Sequence, residues 1–138
     1  NLELFHPFCK ENKVISWPGK NSIDELTYLN DKTLVRKFCF WKENKGYDLF
    51  IGRKNGRKSF VSWRLEPNSL TSGCRLYIRI YPHYYNTKKS ILHNILFFLF
   101  IKPQLKKYLK SVLQGLNWYI LNKKNISSNK FGKHLWFS

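Results

Sequence analysis

Acidic side chains are scarce in this sequence. Its 138 residues carry 8 Asp plus Glu against 25 Lys plus Arg, and acid–base catalysis by carboxylates needs two of them near one substrate. Asp24 and Glu25 are adjacent, so on a strand they point to opposite faces. Asp48 alternates with the apolar residues of its segment and reads as a solvated side chain. Cysteine is sparse as well. Cys9, Cys39 and Cys74 are odd in number, widely spaced and without a C-x-x-C pair, which argues against a disulfide framework or a zinc site. Reduced, buried thiols of a cytosolic protein fit that pattern. The four histidines, His6, His83, His93 and His134, form no H-E-x-x-H and no close pair, so no metal is expected. His6, between Phe5 and Pro7, reads as a hydrogen-bonded structural residue, while His83, after Tyr81 and Pro82, could face a pocket mouth.

Catalytic loop motifs are missing too. No G-x-S-x-G elbow, Walker loop or G-x-G-x-x-G is present. The stretch Gly52 to Arg57 reads as a hairpin rather than a phosphate cradle. A non-enzymatic role without a cofactor is expected. No basic region followed by an apolar core opens the chain, which fits a cytoplasmic protein. The longest apolar run, Ile91 to Ile101, falls short of the roughly 20 residues a membrane span needs. It reads as a buried helix, a lid or an interfacial segment.

What the chain does have is aromatic and basic side chains. Five Trp, 8 Tyr and 11 Phe lie in a composition that is 43% hydrophobic, enough for a core and suited to sheets or the walls of an apolar pocket. The formal charge of +17 attracts polyanions or an anionic membrane surface. The lysines are spread along the chain, which equally fits a surface selected for solubility.

The order of elements follows from periodicity. Asn1 to Cys9 reads as a short helical or turn segment that Asn1 could cap. Period-two stretches follow at Val14–Trp17, Asp24–Leu29, Thr33–Trp41, Tyr47–Arg53, Lys58–Glu66 and Cys74–Tyr81. Asn55-Gly56 predicts a type I′ hairpin. In the sixth strand Leu76, Ile78 and Ile80 alternate with Arg75, Tyr77, Arg79 and Tyr81, so one face meets a core and the other water. From Pro103 the apolar positions Leu105, Leu109, Val112, Leu113, Leu116 and Ile120 trace one helical stripe that ends at Asn122. Gly115 inside it implies either close packing or room for a ligand. The tail, Ile126 to Ser138, has no period.

Three stretches resemble bacterial members of the SRPBCC superfamily, which includes START lipid-transfer domains, polyketide cyclases and coenzyme-Q-binding proteins. They are Phe5-His6-Pro7-Phe8-Cys9, the helical Tyr108-Leu109-x-x-Val112-Leu113-x-Gly115-Leu116, and Phe131-Gly132-x-His134-x-Trp136-Phe137-Ser138. The resemblance covers essentially the whole chain, 1–138, as a single domain. It implies an α+β helix-grip fold, a curved antiparallel sheet of about six strands wrapped on a long C-terminal helix. Against that pattern the chain begins near the second short helix, so an N-terminally truncated domain lacking its first strand and helix is expected.

The resulting expectation is a binder or carrier of a hydrophobic small molecule, such as a lipid, quinone or polyketide, in a cavity between sheet and helix. Its lining would be Trp63, Leu76, Ile78 and Ile80 from the sheet and Leu109, Leu113 and Leu116 from the helix. Two alternatives stand beside it. One is a nucleic-acid-binding sheet, from basic and aromatic residues interleaved on one strand face. The other is a cyclase-type enzyme, which the resemblance allows and no motif shows. A membrane contact is expected of Phe97, Phe98 and Phe100. These are too close together for one helix face to bury, and they are bracketed by Lys88, Lys89, Lys102, Lys106 and Lys107.

Overall fold

Six strands followed by one long helical segment form the architecture of this computed structural model, described over residues 1–69, 72–83 and 91–138. A 3-10 turn at Leu2–Leu4 leads into β1 (Cys9–Ser16), β2 (Ile23–Tyr28), β3 (Thr33–Lys42), β4 (Gly46–Gly52), β5 (Lys58–Pro67) and β6 (Cys74–Tyr81). The strands pair in chain order as one six-stranded antiparallel sheet. The helical segment comprises α1 (Ile91–Leu96), a π turn (Phe97–Ile101) and α2 (Lys102–Asn122). This α+β order, an antiparallel meander and then a C-terminal helix, is that of a helix-grip layout.

The chain forms two compact units. The first comprises residues 1–12, 26–33 and 88–138; the second comprises 13–25 and 34–87. Strands β1 to β3 contribute residues to both.

In the second unit, alternation and register build one apolar face. Phe38 pairs with Leu49, Leu49 with Val61, and Val61 with Ile80. Phe38, Leu49 and Val61 are buried, and Tyr47, Ile51, Trp63, Ile78 and Ile80 pack against them. Burying Phe38, Leu49 and Val61 contributes about 1.5–3 kcal/mol each. A register shift lies between Phe38 and Phe40, where Cys39 is the extra residue. The bulge reverses the alternation. Trp41, three residues after Phe38, pairs with Tyr47 and rejoins the face of Phe38, whereas Phe40 pairs with Asp48 on the other face.

Turns depart from the sequence reading at one point. Neither Asn55 nor Gly56 takes a positive φ, so the expected type I′ turn is not formed. Five residues separate Gly52 from Lys58, long enough to reverse through Arg53–Gly56, with the Gly56 N–H donating to the Arg53 carbonyl at 3.0 Å. Positive angles occur in other turns, among them the β3–β4 turn, at Asn44 (55°) and Gly46 (136°). A Cβ on Gly46 would sit 2.0 Å from the Trp63 carbonyl oxygen, so this position requires glycine.

In the first unit, Asn1 caps the opening turn, its Oδ1 accepting from the Glu3 N–H at 3.2 Å. The segment after it is gripped by the aperiodic tail: the Ile126 N–H donates to the Leu4 carbonyl and the Asn129 N–H to the Pro7 carbonyl. On α2 the buried positions are Ser111, Val112 and Gly115. A Cβ on Gly115 would lie 2.1 Å from the Phe5 carbonyl oxygen. The glycine therefore marks close packing, against the N-terminal segment. The helix ends at Lys123, whose left-handed φ of 53° lets its N–H reach the Tyr119 carbonyl.

The π turn has a local cause in Pro103. Proline has no N–H to donate to the carbonyl four residues back, and its ring crowds that carbonyl. Widening the preceding turn, closed by the Lys102 N–H on the Phe97 carbonyl, relieves the crowding.

Candidate functional site

The apolar face of the sheet unit ends in a cluster of aromatic rings. Trp41 stacks on Tyr47 (5.2 Å between centroids, 8° between planes), and Tyr47 stacks on Trp63 (5.4 Å, 22°). Trp17 meets Phe38 and Trp41 edge-on at 5.1 and 5.7 Å. The stack exists because the bulge at Cys39 turns Trp41 into register with Tyr47. Yet Trp17 and Trp41 remain 48% and 44% exposed, a large unsatisfied apolar area for rings already clustered.

Four of the expected lining residues belong to this face. Trp63 is the cross-strand partner of Ile78, Leu76 of Leu65, and Ile80 of Val61. All four are half-buried. Leu109, Leu113 and Leu116 are on α2, in the first unit, and are also half-buried. The covered side of that helix is the neighbouring row of Ser111, Val112 and Gly115, and Ile120, at the end of the expected stripe, is exposed.

One polar pair is buried in the sheet unit. The Arg36 guanidinium holds Asp24 with two parallel hydrogen bonds, Nε to Oδ1 at 2.7 Å and a terminal nitrogen to Oδ2. It also lies 5.4 Å from the centre of the Phe38 ring. A bidentate fork compensates much of the desolvation of two charges. Nothing in the alternation of β2 and β3 announces this pair.

The opposite face is basic and aromatic. Lys37, Phe50, Phe60 and Tyr81 align across β3 to β6, with ring centroids 5.4 Å apart for Phe50–Phe60 and 5.8 Å for Phe60–Tyr81. Asp48, expected in water, is an ion-pair partner instead. Arg64 Nη2 donates to its Oδ2 at 2.7 Å, and the guanidinium also covers Phe40. That hydrogen bond from Arg64 is the main reason the Asp48 carboxyl is held below its usual range, against the opposing effect of its burial. His83 sits beside Ser59, its N–H donating to the serine oxygen at 3.2 Å and its Nδ1 lying 3.3 Å from it.

The first unit holds the other two described histidine side chains in a sealed aromatic cluster. His6 Nδ1 accepts the Phe8 N–H at 3.3 Å, so its Nε2 carries the hydrogen and donates to Tyr108 Oη at 2.9 Å. Tyr108 Oη in turn lies 3.2 Å from Tyr28 Oη. His134 repeats the pattern: Nδ1 accepts the Trp136 N–H at 3.2 Å and Nε2 donates to the Gln104 carbonyl at 3.0 Å. Burial pushes the His134 pKa down, the hydrogen bond to Gln104 acts against this, and the nearby Lys107 adds to the lowering. Phe137 stacks on both Tyr28 (4.3 Å) and His134 (5.1 Å). Both histidines are almost fully buried and act as hydrogen-bonded structural groups.

Among the described residues no three of His, Cys, Asp and Glu gather as metal ligands would. The cysteines are free, but they are not the buried thiols expected: Cys9 and Cys39 are half-buried and Cys74 is exposed. The apolar run before α2 is exposed along most of its described length, at Ile95, Leu96, Phe98, Leu99 and Phe100, with Phe97 half-buried. Among the described residues no helix is long and apolar enough to cross a membrane. No protein-family model, no curated protein and no solved structure matches the chain.

Proposed function

We propose that this protein binds a hydrophobic small molecule of the lipid, quinone or polyketide kind, and that it does so without catalysing a reaction on it. The observation that carries the reading is the aromatic end of the sheet face. Trp41, Tyr47 and Trp63 are pre-stacked with Trp17 edge-on against Trp41, yet Trp17 and Trp41 keep nearly half of their surface open. Rigid, pre-formed aromatic walls lose little entropy on binding and reward an apolar ligand by area. Trp63, Leu76, Ile78 and Ile80 extend that wall. The SRPBCC-like motifs of the sequence support the same class of function. The described histidines have structural partners, which favours binding over cyclase-type chemistry.

The test is titration with N-phenyl-1-naphthylamine, an uncharged dye that the +17 charge cannot attract. Saturable enhancement of dye emission, with quenching of the tryptophans, is expected. Trp41→Ala should weaken uptake about tenfold, the equivalent of losing much of one buried ring face. Ile78→Arg should block uptake, because it sets a charge on the apolar sheet face. Unchanged uptake in both variants refutes the assignment.

A second reading is favoured by the opposite face, where the row Phe50, Phe60 and Tyr81 is bordered by Lys37 and Arg79 and leaves Phe50 and Tyr81 exposed. Rings with flanking cations suit stacking of single-stranded nucleic acid. Salt-dependent retention of an oligonucleotide, lost in Tyr81→Ala, would support it.

A further inference from the structure

The helical run before α2 exposes more apolar surface than a core segment would. Ile95 is 49% exposed, Leu96 47%, Phe98 53%, Leu99 64% and Phe100 63%. Single exposed apolar residues are ordinary, but five along eleven residues of one helix form a patch, and patches of this kind mark contact surfaces. The π turn adds to the effect. A wider turn advances each residue by a smaller angle, so it draws Phe98, Leu99 and Phe100 towards one side of the helix axis.

The charge around the patch selects its partner. All eight acidic residues of the chain lie at or before Glu66, and residues 67–138 contain none. Residues 91–138 carry eight lysines, at 102, 106, 107, 110, 123, 124, 130 and 133, and no arginine. Lys102 places its ammonium 4.6 Å from the centre of the Phe98 ring, so charge and apolar surface are in direct contact. Lys106, Lys107 and Lys110 are exposed on the following turns.

From this juxtaposition we infer that the run Ile95–Phe100, with the lysines of α2, docks on an anionic lipid surface, the helix lying in the interface rather than crossing it. Aliphatic and phenyl side chains enter the acyl boundary while lysines remain at the headgroups, the distribution of an interfacial helix. A second copy of this chain fits poorly, since it would set an acid-free lysine cluster against another. A nucleic acid would reward the lysines and the phenyl rings but leave Ile95, Leu96 and Leu99 unused. The inference rests on this helix and its charge alone, and is independent of what the sheet face binds.

The test is cosedimentation of the full chain with vesicles of phosphatidylcholine, alone or mixed with phosphatidylglycerol. Binding is expected to the mixed vesicles at low salt, to fall about tenfold or more on neutral vesicles, and to weaken as salt rises. Phe98→Ser with Phe100→Ser should weaken binding to mixed vesicles at least about tenfold. Leu99→Ser alone should do so severalfold, and Lys106→Gln with Lys107→Gln about fivefold per lysine. These side chains are exposed, so melting temperatures should stay near that of the parent, which separates docking from unfolding. The inference is overturned if the parent does not sediment with anionic vesicles at low salt, or if the serine variants bind as the parent does. A concentration-dependent dimer, or retention of single-stranded RNA, that is abolished by those serine substitutions would overturn it in favour of a different occupant.

Discussion

Replacing Gly115 with alanine should destabilise the protein, against the ordinary direction of that change in a helix. In an unobstructed helix interior, Gly→Ala gains about 1 kcal/mol. Here the new Cβ would lie 2.1 Å from the Phe5 carbonyl oxygen and 3.1 Å from Pro7 Cδ and Ile126 Cδ1. Ordinary contact begins near 3.4 Å, so the carbonyl must retreat by about 1.3 Å, the difference between the two distances. It is a backbone atom and cannot swing aside. The adjacent residues are also tied, His6 N–H to the Leu2 carbonyl at 2.8 Å and Ile126 N–H to the Leu4 carbonyl at 3.0 Å. Forcing one extra methyl into a core costs about 1–3 kcal/mol and occasionally more; a clash this close with a backbone atom falls at about 2–3 kcal/mol, which against the propensity gain of about 1 kcal/mol leaves a net loss of roughly 1–2 kcal/mol. For a chain of this size that lowers Tm by roughly 3–8 °C. Thermal melting by circular dichroism reads it directly. A Gly115→Ala variant that melts higher than the parent refutes the packing of α2 on the N-terminal segment.

Three further outcomes follow from the polar groups. Tyr108→Phe removes the hydroxyl that meets His6 and Tyr28 and should cost about 1–3 kcal/mol in urea unfolding, because buried partners lose a hydrogen bond; a loss under the error of the measurement contradicts the network. Asp24→Asn leaves the Arg36 charge buried without its counter-ion, with an expected loss of about 3–5 kcal/mol; Asp31→Asn, on the exposed Lys10 pair, should change little. His134 supplies a pH dependence. Its folded-state pKa is lowered, mainly by burial, so the unfolded chain binds the proton more readily. The stability it contributes is complete above its unfolded value of about 6.5 and is lost as pH falls through that value towards the folded one. Melting temperatures should therefore drop on acidification below neutrality, less steeply in His134→Asn than in the parent; equal slopes would contradict the assignment.

Periodicity carried most of the fold. β6 has the bounds that its alternation predicts, Cys74 to Tyr81, and α2 begins one residue before the expected Pro103 and ends at Asn122 as expected. The sheet face of Trp63, Leu76, Ile78 and Ile80 was legible for the same reason, since cross-strand register preserves alternation. The bulge at Cys39 was not, because one inserted residue leaves no compositional mark while moving Trp41 to the opposite face from its alternation. Asp24, Asp48 and His134 depend on partners far along the chain, and a hydrogen bond has no period; His6 has the hydrogen-bonded structural role read from its neighbours, although its partner Tyr108 could not be read there. The tail shows no period for the same reason: its role is to donate and accept at positions far earlier in the chain. Pro103 predicted a helix start, yet the helix runs through it, because a π turn can absorb what an α turn cannot.

Native mass spectrometry of the full chain, incubated with a panel of uncharged apolar molecules of lipid, quinone and polyketide size, decides whether the apolar sheet face is a binding site. One bound molecule per chain is expected, saturating at that ratio, lost when Ile78 is replaced by arginine and retained when Arg75, on the opposite face, is replaced by alanine. A chain that stays at its free mass with every member of the panel, or that accumulates adducts without saturating, contradicts it.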